Sequence, residues 1–136
     1  MAADVNSIFY YVLIVDDDKD DHFFLRQAIG EVIPQAIIES LYDGSEALAY
    51  LDNSATLPSL IFLDLNMSKI SGKNTIMVVR KNDNLKNVPV IILTTSNSDQ
   101  EKLEILALGA NEFYSKPVDL NELVKIVKEV KAKYLQ

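Results

Sequence analysis

At 136 residues, 49% of them hydrophobic, the chain has the size and apolar content of one domain with one core. It has no cysteine, which excludes a disulfide framework, a thiolate zinc site and a cysteine nucleophile, and its single histidine leaves little material for a histidine metal cluster or a Ser-His-Asp triad. A formal charge of −7 argues against nucleic acid as a partner, because phosphate binding needs a basic stripe.

The N-terminus, Met1 to Ser7, is short, polar and acidic, unlike a secretory signal. No apolar run nears the ~20 residues that span a bilayer, so a cytoplasmic protein without membrane insertion is expected. Tyr11–Val15 (YVLIV) is the first apolar run. A helix is predicted over Asp20–Val32, with Phe24, Ala28 and Val32 four apart, Leu25 and Ile29 beside them, and Pro34 as its stop. Ala36–Leu41 (AIIESL) mixes in polar residues, which suits a strand nearer a sheet edge. Ser45–Leu51, after Gly44, carries Ala47, Leu48 and Leu51 on one helical stripe. Leu60–Leu63 (LIFL) is the third run. Lys73–Lys81 is predicted helical in spite of β-branched Thr75, Ile76, Val78 and Val79. Val88–Leu93 (VPVIIL) is the fourth run, and Ser98–Leu108 is a helix that stops at Gly109. A weaker run at Phe113–Tyr114 precedes a last helix, Leu120–Tyr134, which repeats Leu123, Val124, Val127 and Val130 behind the N-cap candidate Asp119.

Strand and helix alternate five times, and three of the apolar runs are continuous, as expected for strands covered on both faces. With right-handed crossovers this is an α/β fold: an open, doubly wound, five-stranded parallel sheet. Ligands of such sheets bind beyond the carboxyl ends of the strands. There the sequence delivers Asp16, Asp17 and Asp18 after the first run and Asp64 after the third. Thr94, Thr95 and Ser96 follow the fourth, and Ser115, Lys116 and Pro117 the fifth.

Two carboxylates ~4 Å apart repel by about 4 kcal/mol at an effective dielectric near 20, so Asp16 or Asp17 beside Asp64 calls for a cation. Lys116 brings one positive charge against three carboxylates. A hard divalent ion with oxygen ligands, Mg²⁺, balances the rest and suits phosphate chemistry, with Asp64 as nucleophile. Taken singly, each residue has an ordinary reading. Asp18, Asp20 and Asp21 complement a helix dipole, Lys116 is a loop lysine, and Thr94 ends a strand. His22 reads as a solvated residue of the first helix. Their joint placement carries the chemical reading.

The chain resembles the receiver domain of response regulators, the group that includes the chemotaxis protein CheY. The match runs from Leu13 to Val130 on LIVDDD (Asp16, Asp17), LIFLDLNM (Asp64), PVIILTTS (Thr94) and SKP (Lys116, Pro117). Thr94 and Lys116 follow Asp64 by 30 and 52 residues, the spacing of that family. YDGSEAL, Gly72 and LGANEF agree with it. The resemblance implies a CheY-like (βα)5 sheet in strand order 2-1-3-4-5, and one receiver over residues 1–136, core about 11–134, with no output domain. It implies a phosphoryl group accepted on Asp64 from a sensor histidine kinase or a histidine phosphotransfer protein, and a signalling role rather than enzymatic turnover. It implies Mg²⁺, with Mn²⁺ as a substitute, held by Asp17, Asp64, the Asn66 backbone carbonyl and, through water, Asp16. Lys116 would pair with Asp64 before phosphorylation and with a phosphoryl oxygen afterwards, and Thr94 and Phe113 would be the switch residues.

Phosphorylation adds about −1.5 to −2 charges, enough to bias a bistable surface around the fourth helix. The output would be contact with a downstream protein, and the family's precedent for a homodimer is the face of the fourth and fifth helices. The form with SLYDGSEAL and VIILTTS most resembles the small regulators of phytochrome-type histidine kinases. Ser68 stands where the family has proline, which implies a less rigid acceptor loop, and Phe113 replaces the common tyrosine. Asn66 and Ser96 occupy the two variable positions associated with hydrolysis. The rival readings are a pseudo-receiver that keeps the fold without phosphorylation, and a haloacid-dehalogenase-type phosphatase built on Asp16-x-Asp18.

Overall fold

The five apolar runs become five strands of one sheet. The structure, a computed structural model, describes residues 9–53, 56–67 and 69–135. Met1–Ser7 and Ser68 lie outside these residues. In chain order the elements are β1 (Tyr10–Val15), α1 (Lys19–Val32), β2 (Ala36–Leu41), α2 (Gly44–Asn53) and β3 (Leu60–Leu63). Then come α3 (Gly72–Lys81), β4 (Val90–Thr94), α4 (Asp99–Ala107), β5 (Glu112–Ser115) and α5 (Leu120–Tyr134). All strand pairs are parallel and the order is β2-β1-β3-β4-β5, as expected.

Continuous apolar strands follow from helices on both faces. On one side Leu25, Ala28 and Ile29 of α1 and Leu123, Val127 and Val130 of α5 pack with Val12, Ile14, Phe62 and Ile91 of the sheet. On the other, Ala47 of α2, Ile76 and Val79 of α3 and Ile105 of α4 pack with Leu13, Val15, Leu63 and Ile92. Neighbouring residues of β1 therefore belong to different cores. β2, the edge strand, alternates in burial because its outer positions meet solvent.

Two expectations are corrected. The fourth strand begins at Val90 rather than Val88: Pro89 has no N–H to give to the ladder, although its carbonyl accepts from Ile61 N at 2.9 Å. The inward face of α1 is turned from the Phe24–Ala28–Val32 row toward His22, Leu25, Ala28 and Ile29. Phe24 is 49% exposed, while His22 is buried at 2%.

Local signals fix the helix ends. Gly109, past α4, takes φ 114°, the left-handed conformation that glycine adopts without a Cβ penalty. Asp119 caps α5 by accepting from Glu122 N at 2.8 Å. Asp119→Ala is expected to lower stability by about 1 kcal/mol, read as a lower urea midpoint at unchanged slope. An unchanged midpoint would mean that packing alone sets the start of α5.

Arg80, at the end of α3, ties three segments together. Its Nε donates to Gly109 O at 2.9 Å, Nη1 to Val88 O at 2.8 Å and Nη2 to Asn111 Oδ1 at 2.8 Å. The same Asn111 oxygen accepts from Val90 N at 2.8 Å, at the entry to β4.

Candidate functional site

The carboxyl ends of β1, β3, β4 and β5 meet at one edge of the sheet. Asp16 and Asp17 follow β1, Asp64 follows β3, Thr94 ends β4 and Lys116 follows β5. The Asp16, Asp17 and Asp64 carboxylates place oxygens within 4.8 Å of one another. Asp16 and Asp64 are buried at 6% and 4%, and Asp17 is exposed.

Backbone contacts hold these carboxylates in place. Asp16 N donates to Leu41 O at 3.1 Å, and Asp64 N donates to Val15 O at 2.9 Å, so both loops leave the sheet stapled to a neighbouring strand. Asp16 Oδ1 accepts from Asp18 N at 2.9 Å. Asp18 caps α1, accepting from Asp20 N and Asp21 N, which commits it to the helix start and argues against an Asp16-x-Asp18 catalytic pair. Beneath Asp64, α3 starts so close that a Cβ on Gly72 would lie 2.6 Å from Asp64 O and 2.7 Å from Leu65 Cα.

Lys116 Nζ lies 2.6 Å from Asp21 Oδ2, 2.9 Å from Asp16 Oδ2 and 3.8 Å from Asp64 Oδ2. The last distance is an ion pair too long for a hydrogen bond. Burial alone would lower the affinity of Lys116 for its proton, but the surrounding carboxylates outweigh it and hold the ammonium above its ordinary range. Burial likewise raises the Asp16 carboxyl, and the Lys116 and Asp18 contacts reverse only part of that rise. Thr94 is wholly buried, and its Oγ1 accepts a long 3.4 Å bond from Asn66 Nδ2. Phe113 is half-buried against the α2–α4 side of the core.

These residues fit a hard divalent cation. Three convergent carboxylates face one ammonium, and Asp64 Oδ1 is buried and receives no hydrogen bond among the described residues. An oxygen-only donor set with one uncommitted buried oxygen is the kind that Mg²⁺ or Mn²⁺ takes, not zinc or copper.

Two residues differ from the sequence reading. Asp21 does more than complement the α1 dipole, since it makes the shortest contact to Lys116. His22 is a buried residue rather than a solvated one. Its Nε2 donates to Asp16 O at 2.7 Å and its ring packs on Tyr42, centroids 4.4 Å apart. A signal was available, for His22, Leu25 and Ile29 lie three and seven residues apart on one helical face, and Asp21 stands four before Leu25.

A family model described as the response regulator receiver domain matches residues 12–128. The chain belongs to this family. The receiver is 28% identical over 130 residues to the response regulator Rcp1 of Synechocystis, a match covering 92% of this chain and 88% of that one. It is also 28% identical over 130 residues to a probable methanogenesis regulatory protein, FilR2, of Methanothrix harundinacea, covering 93% and 84%. Among solved structures the receiver is similar to the phosphorylated cyanobacterial phytochrome response regulator RcpA, with TM-score 0.87, 28% identity and 95% and 96% of the two chains covered. The Mn²⁺-bound form of Rcp1 matches with TM-score 0.82 at 28% identity, covering 93% and 95%. No described helix is long and apolar enough to cross a membrane.

Proposed function

We propose that the receiver accepts a phosphoryl group on Asp64, in a Mg²⁺-dependent reaction, from a sensor histidine kinase or a histidine phosphotransfer protein. The observation that carries this reading is the buried Asp64 carboxylate with an uncommitted Oδ1, beside two further carboxylates and an ammonium. An Asp64 oxygen attacks phosphorus, the phosphorus–nitrogen bond of phosphohistidine breaks, and the imidazole leaves with a proton from solvent. An acyl phosphate remains on the chain.

The roles carry over from the receiver family onto the matching residues. Asp17 and Asp64, with the Asn66 backbone carbonyl and Asp16 through water, would hold the cation, which supplies neutralisation of the phosphoryl charge when bound. Lys116 takes a phosphoryl oxygen. Thr94 turns its hydroxyl from Asn66 toward that oxygen, and Phe113 responds as the second switch residue. Mn²⁺ is the expected substitute, in keeping with the metal in the Rcp1 structure.

A groove lined by Asp21, Phe24, Lys116, Pro117, Val118 and Leu120 adjoins Lys116 and gives the phosphodonor a partly apolar seat. Signalling fits this family better than turnover, and the acyl phosphate is the product that matters. The likeness to Rcp1 and RcpA supports a kinase of the phytochrome type. The proposed output is a cytoplasmic protein–protein contact made by a single receiver unit, with the α4–α5 face available for a homodimer.

The test is intact mass after incubation with acetyl phosphate and Mg²⁺. One added phosphoryl group is expected, absent without metal and absent in Asp64→Asn. A wild-type protein that stays unmodified would favour the phosphorylation-independent module.

A further inference from the structure

The proposed reaction needs Lys116 at the phosphoryl group, yet its ammonium is held elsewhere. The Lys116 side chain is 14% exposed and that of Asp21 36%, so the 2.6 Å contact between them sits at the rim of the site, partly screened from water. Asp16 takes a second position on Nζ at 2.9 Å, and Asp64, the acceptor, is the most distant of the three at 3.8 Å. An ammonium has three donors. Two of them are engaged by carboxylates other than the acceptor, Asp16 and Asp21, and the closer of these belongs to α1, across the groove from β5. Its neighbour Asp20 also lies in the first turn of α1, is exposed, and makes no ion pair with Lys116.

We propose that Asp21 is a positioning residue that draws Lys116 off Asp64 in the unphosphorylated protein, so that the phosphorylated state forms by exchange of the Asp21–Lys116 pair for a phosphoryl–Lys116 pair. This rests on the assignment of Asp64 as acceptor. The Asp21 carboxylate then stabilises the unphosphorylated form selectively and sets how readily the receiver charges. A carboxylate lost from this position frees the ammonium for the acceptor, whereas the same loss at Asp20 changes only the net charge.

The experiment compares wild type, Asp21→Asn, Asp21→Glu and Asp20→Asn in two measurements. The first is equilibrium binding of fluoroberyllate, a phosphoryl mimic, at saturating Mg²⁺. Asp21→Asn is expected to bind about fivefold more tightly, the scale of a partly exposed ion pair, with Asp21→Glu and Asp20→Asn close to wild type. The second is NMR detection of the Lys116 ζ-ammonium in the metal-free proteins, through its hydrogen-bond couplings to aspartate carboxyl carbons. Wild type should couple to Asp21, and Asp21→Asn should gain a coupling to Asp64. Equal or weaker binding by Asp21→Asn, or an equal gain in Asp20→Asn, would overturn the proposal. Wild-type protein that binds no fluoroberyllate would defeat the acceptor assignment instead. The couplings would still decide the pairing, because a Lys116 already coupled to Asp64 and not to Asp21 refutes it.

Discussion

Arg80→Ala is expected to lower the stability of the receiver by about 3 kcal/mol, equivalent to a fall in Tm of roughly 10 °C. The guanidinium donates to the carbonyls of Gly109 and Val88 and to the Asn111 side chain. These partners are neutral, so truncation removes charge-assisted bonds and strands acceptors that α3 otherwise satisfies. Burial pulls the guanidinium below its ordinary pKa. Asn111 would lose the group that orients it toward Val90 N, loosening the entry to β4 as well. Arg80→Lys should recover little, because an ammonium cannot reproduce the fork that reaches both Val88 and the Gly109–Asn111 segment. Chemical denaturation of both variants checks this, and a loss under about 1 kcal/mol for alanine would show that the network is incidental.

Gly72→Ala should destabilise by about 2 kcal/mol in spite of its better helix propensity. Gly72 is the first residue of α3, after the cap Ser71, where alanine gains less than the about 1 kcal/mol over glycine of a helix interior. Here its Cβ would lie 2.6 Å from Asp64 O and 2.7 Å from Leu65 Cα. Both are backbone atoms, which cannot rotate away, so overpacking outweighs propensity and the start of α3 lifts off the acceptor loop. Asp64 moves with that loop. Phosphorylation by acetyl phosphate should therefore fall by about 100-fold, the usual consequence of a misplaced reacting group. An alanine variant as stable and as quickly phosphorylated as wild type would show that the close approach is relieved elsewhere at no cost.

Sheet and helices were legible because their periodicities are strong. YVLIV and LIFL are short, carry β-branched and aromatic residues and are apolar without a break, as suits strands between two helical layers, and α5 buries Leu123, Val127 and Val130 at helical spacing. The strand-end residues were legible for the same reason, since a parallel sheet brings them to one edge.

What escaped depends on angles of a few tens of degrees. Phe24 and Leu25 differ by a single step around α1, and hydrophobicity alone favours neither as the centre of the buried face. The helix instead settles with His22 inward, because Asp16 O offers its ring a hydrogen bond and Tyr42 offers it a surface. Asp21, four before Leu25, then falls toward the β5–α5 loop, where its partner lies 95 residues away in the chain. Arg80 escaped likewise, since its partners are mostly carbonyls and carbonyls leave no mark in a sequence.

The two cores share a sheet but no helix: α1 and α5 serve one, and α2, α3 and α4 serve the other. The cluster at the strand ends straddles that partition. Lys116 and Asp21 belong to the α1–α5 side, while Gly72 seats the acceptor loop against α3 on the opposite side. The sheet separates the two cores, and the cluster at its carboxyl edge is where the two sides meet. In the proposed reading, charging Asp64 would reach α3 through the acceptor loop and α1 through the released Asp21 carboxylate.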